Sequence, residues 1–417
     1  MINYKEYQLK NGLRVLVDED DSTPMASVNI LYHVGAKNER KEKTGFAHFF
    51  EHFMFEGSTN APHFDSEIQK AGGENNAFTT NDLTNYYETL PATNIETAFW
   101  LESDRMLELN FNQESLDTQI SVVSEEFKEN YINKPYGDTW HKISALTYKH
   151  HPYQWPTIGL KLEHIAAFTL EECKDFFYQY YRPNNAILTV SGGVKAEKVF
   201  ALAEKWFGDI PRGEAIKRDY AKEPAQTEKR IQNVEANVPA NAIYKAYPIC
   251  DRLHADYYAT DLISDVLGSG SSSRLYQQLV KEQQLFSEIS AYISGTDDAG
   301  LLLIEGKVAQ GIKMEDADNA IIKLLESFKA EKLDENELQK VINKTLNYLA
   351  FSTESHFNKA FNMAYFTMID KQEWINNEDL EYKKITTEDI QNVAQSIFRE
   401  ENSNTLFYHA KKGNNDQ

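Results

Sequence analysis

The sequence predicts an α+β protein built from two similar domains, and three observations carry that prediction. Strand-like runs and helical patterns occur in mixed order rather than as a strict βαβ series. The segment 208–230, GDIPRGEAIKRDYAKEPAQTEKR, has almost no large apolar residues and contains two prolines, the composition of a linker. Two stretches also repeat at an offset of 217, about half of the 417-residue chain. Phe168-Thr169-Leu170-Glu171-Glu172 matches Ile385-Thr386-Thr387-Glu388-Asp389, and Tyr181-Arg182 matches Phe398-Arg399. In each copy a Thr with an acid three residues on can cap a helix that leads to a strand near the end of its half. The predicted organisation is a first domain over 1–210, a linker over 211–230 and a second domain over 231–417.

Taken in order, Leu13-Arg14-Val15-Leu16-Val17 reads as a strand. Residues 26–32 read as another, with partial period-2 alternation. Helical patterns follow over 44–56, 92–109, 113–132 and 169–181, and Ala186-Ile187-Leu188-Thr189-Val190 is a buried strand. After the linker come strands near 242–248, 285–293 and 301–307 and helices near 253–267, 271–284, 315–329 and 335–350. Trp100, Trp140 and Trp155 sit among apolar neighbours and are expected in the core. Cys173 is expected to be a buried small hydrophobe, and His150-His151 a turn beside Pro152.

Composition narrows the function. Hydrophobic residues make up 41% and charged residues 26%, enough apolar content for a sizeable core. A net charge of −21 argues against nucleic acid or an anionic membrane surface as the main partner. Two cysteines without a C-x-x-C exclude a disulfide framework and a thiolate zinc site. No run of about 18 apolar residues is present, and the first residues, MINYKEYQLKNG, lack an apolar signal core. The chain therefore reads as cytoplasmic, or periplasmic if a leader was removed.

The strongest local signal is TGFAHFFEHFMFEG at 44–57. Residues four apart share a helical face, so His48 and His52 can aim two imidazoles at one metal ion. Glu51 adjoins His52 and lies one turn from His48. Zinc lowers the pKa of a water toward about 7, and a carboxylate placed there can take its proton. H-x-x-E-H is the zinc-peptidase motif HExxH inverted. The bland alternative is a Phe-rich helix with satisfied core histidines. A catalytic zinc takes a third protein ligand, and the segment 117–131 of the predicted helix over 113–132 offers Glu125, Glu126 and Glu129, among which spacing alone does not select. His33, His63 and His141 have no partner at ligand spacing.

These landmarks, with LKNGLRV at 9–15, AGGENNAFTTNDLTNYY at 71–87, VVSEEFKENYINKPYG at 122–137, HPYQWPTIG at 151–159 and LGSGSSSRLYQQL at 267–279, give the chain a resemblance to the M16 metallopeptidases over nearly its whole length. The family includes pitrilysin, insulin-degrading enzyme and the mitochondrial processing peptidase. The resemblance implies two duplicated α/β-sandwich domains, only the first with the zinc motif. It implies one zinc held by His48, His52 and Glu126, the last 74 residues beyond His52, and Glu51 as general base. Gln119 stands where family members often carry another Glu, which weakens any supporting role there and leaves the three ligands intact. Gly72-Gly73 reads as a tight turn, and residues 76–80 read by themselves as a plain hairpin strand. The resemblance makes that strand a cleft edge to which an extended peptide can pair, with Asn76 and Ala77 binding substrate. The implied activity is endopeptidase cleavage of peptides or unfolded polypeptides enclosed between half-molecules. The alternative is a scaffold subunit of a larger complex.

One family feature is missing. Members that act alone or as homodimers carry an Arg and a Tyr seven residues apart after the SSRL segment, in sequences such as LREKxGLAYS. Here Val280 and Ser287 occupy those places, and Arg274 and Tyr292 are out of register. Neither Val nor Ser can stabilise a developing negative charge as those side chains can. The resemblance thus implies a heterodimer in which a second M16-like chain supplies the Arg and Tyr and this chain is the zinc-bearing subunit.

Overall fold

The computed structural model describes residues 1–411, so residues 412–417 of the predicted second domain lie outside it. The chain packs into two compact units, each around its own sheet. The first holds Met1–Lys128, Trp155–Tyr220 and Leu349–Glu378. The second holds Glu129–Gln154, Ala221–Tyr348 and the residues from Asp379 onward.

The first sheet comprises β1 (Tyr4–Gln8), β2 (Arg14–Glu19), β3 (Met25–Tyr32), β4 (Glu74–Thr79), β5 (Thr84–Pro91) and β6 (Ala186–Gly192), in the order β1-β2-β6-β3-β5-β4. Only β2 and β6 run parallel. β6 is buried along its whole length and β3 along nearly all of it, as strands covered on both faces must be. β4 is an edge strand, bonded to β5 alone within the sheet.

The second sheet comprises β7 (Arg230–Ala236), β8 (Ala242–Pro248), β9 (Phe286–Ser294), β10 (Leu301–Val308) and β11 (Asn404–Ala410), in the order β7-β11-β8-β10-β9, with only β7 and β11 parallel. It repeats the first sheet without β1. The two predicted caps form as reciprocal capping boxes. Thr169 accepts from the Glu172 N–H at 3.3 Å and Thr386 from the Asp389 N–H at 3.2 Å, and the helices they open, Leu170–Tyr180 and Thr387–Ile397, precede β6 and β11.

The packing departs from a linear division at 210 in one reciprocal way. The helix Thr139–Thr147 belongs to the second unit and packs on β7, β8 and β11, whereas the helix His356–Met368 belongs to the first and packs on β2, β3 and β6. Their starts are themselves 217 residues apart, so both copies of the repeat export the same element. The driving force is apolar: Ile143 joins Tyr148, Tyr244, Leu303 and Leu406, and Met363 and Ala364 join Leu16, Leu31 and Ile187. Residues 211–229 lack regular structure but are tied down. Arg218 donates to the Asn185 side chain at 2.6 Å, and Glu223 accepts backbone N–H bonds from Lys149, His150 and His151 at 2.8–3.0 Å. Trp155 is buried as expected and Trp100 half-buried, but Trp140 is 37% exposed, because its helix turns Thr139 and Ile143 inward instead.

Arg105 is among the largest fully buried side chains of the first unit, 1% exposed beside Glu102 and Glu88. Its Nε donates to Glu102 at 2.9 Å, and its guanidinium lies 4.3 Å from the ring centres of Phe64 and Tyr86 and 5.2 Å from that of Phe55. Burial, and then the Glu102 charge, hold Glu88 well above the usual carboxylate range. Arg105→Met leaves Glu102 buried without its counter-ion, and the expected cost is about 3–5 kcal/mol of stability. A urea midpoint unchanged from wild type would refute this.

Candidate metal centre

The sequence FAHFFEHF forms a helix, Phe46–Phe53, because its apolar residues fall on one face. Phe46, Ala47, Phe49, Phe50 and Phe53 are buried, leaving His48, Glu51 and His52 on the other side. Gly45 precedes it at φ 92°, and a Cβ there would meet the Ile158 carbonyl oxygen at 2.6 Å, so only glycine fits. The first turn is capped by Glu39, whose carboxylate accepts from the Gly45 and Ala47 N–H groups at 2.7 and 2.8 Å. Burial pushes that carboxyl up to about 8, with the backbone donors opposing.

The second element is the helix Gln113–Phe127. Leu116, Val123 and Phe127 face inward, and Gln119 and Glu126, seven apart, share a different face. His52 Nε2 lies 3.3 Å and His48 Nε2 3.8 Å from Glu126 Oε2. One donor atom from each of the three residues falls within 4.8 Å of the others. A tetrahedral ion with bonds of about 2.0–2.2 Å needs donors roughly 3.4 Å apart, so the set fits zinc in both spacing and N,N,O chemistry. Burial draws His48 down to about 4, with Glu126 opposing, which leaves a neutral imidazole able to ligate. The bond from His52 holds Glu126 below its ordinary value, hence ionised. His48 Nδ1 is buried without a hydrogen-bond partner among the described residues.

Glu51 points at β4 rather than into the donor set. Its Oε2 accepts from the Thr79 hydroxyl at 2.7 Å, and burial raises its carboxyl above the ordinary value against that bond. On the same strand Asn76 is exposed and Ala77 half-buried. The Ala77 N–H is satisfied by the Asn76 side chain at 2.8 Å. Glu125 is 63% exposed and paired with Lys128 at 2.6 Å, and Glu129 is exposed in a π-helical turn, Lys128–Asn133.

Three participants are not evident in the sequence. Thr79 and Glu39 act through contacts that only the folded chain creates. Gln119, expected to have only a weak supporting role, donates to Glu56, one turn beyond His52, and so braces the two helices that carry the candidate donors. A second cluster, Asp18, Asp20 and His356, also meets the spacing of a metal set. Lys359 Nζ lies 2.6 Å from Asp20 Oδ2 and 3.9 Å from Asp18 Oδ2, so an ammonium already fills the cation's place.

Comparison with known proteins gives a consistent relationship. A family model described as insulinase, peptidase family M16, matches residues 14–159, and one described as the peptidase M16 inactive domain matches 167–345, a stretch without H-x-x-E-H. The chain is 30% identical over 411 residues to the zinc protease PqqE of Helicobacter pylori, covering 97% of this chain and 92% of that protein. A solved protease structure from Helicobacter pylori superposes with a TM-score of 0.93 at 29% identity, covering 98% of this chain and 100% of the other. The chain is also 28% identical over 211 residues to the mitochondrial-processing peptidase subunit beta of Saccharomyces cerevisiae, half of this chain and 45% of that one. Among the described residues no helix is long and apolar enough to cross a membrane.

Proposed function

The chain belongs to the M16 insulinase family of peptidases, and from that membership we propose that it is a zinc-dependent endopeptidase for peptides or unfolded polypeptides, with His48, His52 and Glu126 as ligands and Glu51 as general base. The observation that carries the reading is the approach of two imidazole nitrogens and one carboxylate oxygen to within 4.8 Å of one another, beside a second, half-buried acid, Glu51. Bound there, zinc supplies Lewis acidity, lowering the pKa of water and polarising a carbonyl.

The chain's own residues supply the rest. The Thr79 hydroxyl orients Glu51, leaving the other carboxylate oxygen to accept the attacking water's proton. Thr79 lies on the edge strand β4, so the strand that fixes the base can also carry the substrate. An extended peptide pairs there by main-chain bonds, its carbonyl taking the Ala77 N–H in place of the Asn76 side chain. Such pairing selects extended chain rather than one side-chain sequence, which suits unfolded polypeptides.

The division of labour is also part of the proposal. Val280 lies in the π-helical segment Tyr276–Glu282, and Ser287 on β9 donates to the Lys307 carbonyl at 3.3 Å. Arg274 is engaged with Glu337 at 2.7 Å and Tyr292 with Glu305 at 3.4 Å. A relative named as a subunit supports pairing with a second M16-like chain that provides the Arg and Tyr. Purified alone, this chain is expected to hold one zinc and to digest a peptide library poorly; adding the partner restores cleavage. Full cleavage by this chain alone, unchanged by a partner, rejects the heterodimer. Lack of stoichiometric zinc together with indifference to chelators rejects the enzyme and favours a scaffold, the reading that the inactive-domain match keeps open.

A further inference from the structure

The second unit contains a pocket of about 270 Å³ between its sheet, the helix Met314–Ala330 and the turn after the helix Thr387–Ile397. None of its lining residues belongs to the first unit. Lys245 on β8 lines it, although only 3% exposed. Its ammonium lies 2.7 Å from Asp318 and donates to the Thr405 hydroxyl at 3.0 Å, and among the described residues it has no further acceptor for its remaining N–H capacity. Burial draws Lys245 below the ordinary lysine value, with Asp318 opposing.

The fold does not require this buried charge, as the duplicated sheet shows. In the first unit the Asn185 side chain bonds to the His33 and Tyr180 carbonyls, and in the second the Asn402 side chain bonds to those of Pro248 and Ile397. Three residues inward from these marks, the first sheet pairs Ile30 with Leu188 and the second pairs Lys245 with Thr405. The apolar pair is fully buried and does the structural work unaided. A buried ion pair in its place is weak as a stabilising device, which points to recognition.

The remaining lining is mixed in charge, but its two further acids are paired, Glu400 with Lys229 at 2.6 Å and Glu326 with Lys329 at 2.7 Å. The Tyr247 hydroxyl has no hydrogen-bond partner among the described residues. Arg399 spends two donors on the Ser396 carbonyl and Glu401, the latter an exposed pair of little strength. Ile322, Leu325 and Phe398 supply apolar wall. A pocket just below the ~300 Å³ small end of ligand sites takes only a small molecule. We propose that it binds a small apolar monocarboxylate, whose head group meets Lys245, Tyr247 and Arg399 and whose body lies along Ile322, Leu325 and Phe398.

The test is calorimetric titration of the full chain with sodium octanoate, and with octanamide as the uncharged match. Saturable octanoate binding is expected, with a dissociation constant on the order of 0.1–1 mM for a ligand of this size. Octanamide should bind at least about tenfold more weakly, since a bond between charged groups is replaced by a neutral one. Lys245→Met should abolish octanoate binding. Because that change strands Asp318, two milder variants keep the ion pair. Tyr247→Phe should weaken binding about two- to tenfold, and Ile322→Glu, at a position already 41% exposed, should abolish it by placing a carboxylate in the wall. No saturable binding by wild type, equal affinity for octanamide, or octanoate affinity unchanged in Tyr247→Phe and Ile322→Glu would each overturn the proposal.

Discussion

Glu51→Gln is expected to leave fold and zinc content intact and to lower peptide hydrolysis by about 10²–10⁴-fold. The replacement is nearly isosteric, and the amide oxygen can still accept from the Thr79 hydroxyl that now holds Glu51 at 2.7 Å. An amide cannot take a proton from water. Burial already raises the Glu51 carboxyl toward the working range of a general base, so the wild-type group is suited to the transfer that the variant loses. The comparison is made on turnover of a fluorogenic peptide with partner present, alongside zinc content and circular dichroism. Wild-type turnover in the variant would remove Glu51 from the mechanism.

Glu126→Gln is expected to weaken zinc binding by at least about 100-fold, the upper range found for groups that merely support ligands. Glu125→Gln and Glu129→Gln should leave it near wild type. The difference follows from position. Glu126 stands 3.3 and 3.8 Å from two imidazole nitrogens, whereas Glu125 is paired with Lys128 and Glu129 lies exposed beyond the end of the helix. A neutral amide also removes the negative charge that offsets the cation. Chelator competition followed by metal analysis reads all three variants, and equal retention would show that the third ligand is misassigned.

The two histidines and Glu51 were legible because one short helix holds them, and helical geometry is a local property. The proposed third ligand, Glu126, was not legible from spacing. Glu125, Glu126 and Glu129 differ only in which way the helix rolls when Val123 and Phe127 are buried, and the family resemblance was needed to choose. Thr79 and Glu39 were invisible because their contacts exist only once β4 and the 39–45 turn fold over the helix. β5 is not legible for a related reason. Its buried Thr84, Asn85 and Glu88 break the apolar alternation and find Val34, Asn29 and Arg105 only across the fold. Trp140 was misjudged from its sequence neighbours, which do not reveal the inward face of its helix. The exchange of the helices Thr139–Thr147 and His356–Met368 is marked by no composition, although extending the 217-residue repeat would have paired them.

That exchange sets the order of events during synthesis. The last strand of the first sheet, β6, ends at Gly192, yet the helix that covers Leu16, Leu31 and Ile187 is complete only when residue 368 has been added. At about 5–20 residues per second the interval is roughly 10–35 s. Throughout it the emerging half already possesses every proposed zinc ligand but lacks the cover for one apolar face, a greasy surface open to chaperones or to neighbouring nascent chains. A chain whose first sheet can close only near the end of translation is thereby delayed in completing the body that carries its proposed metal centre.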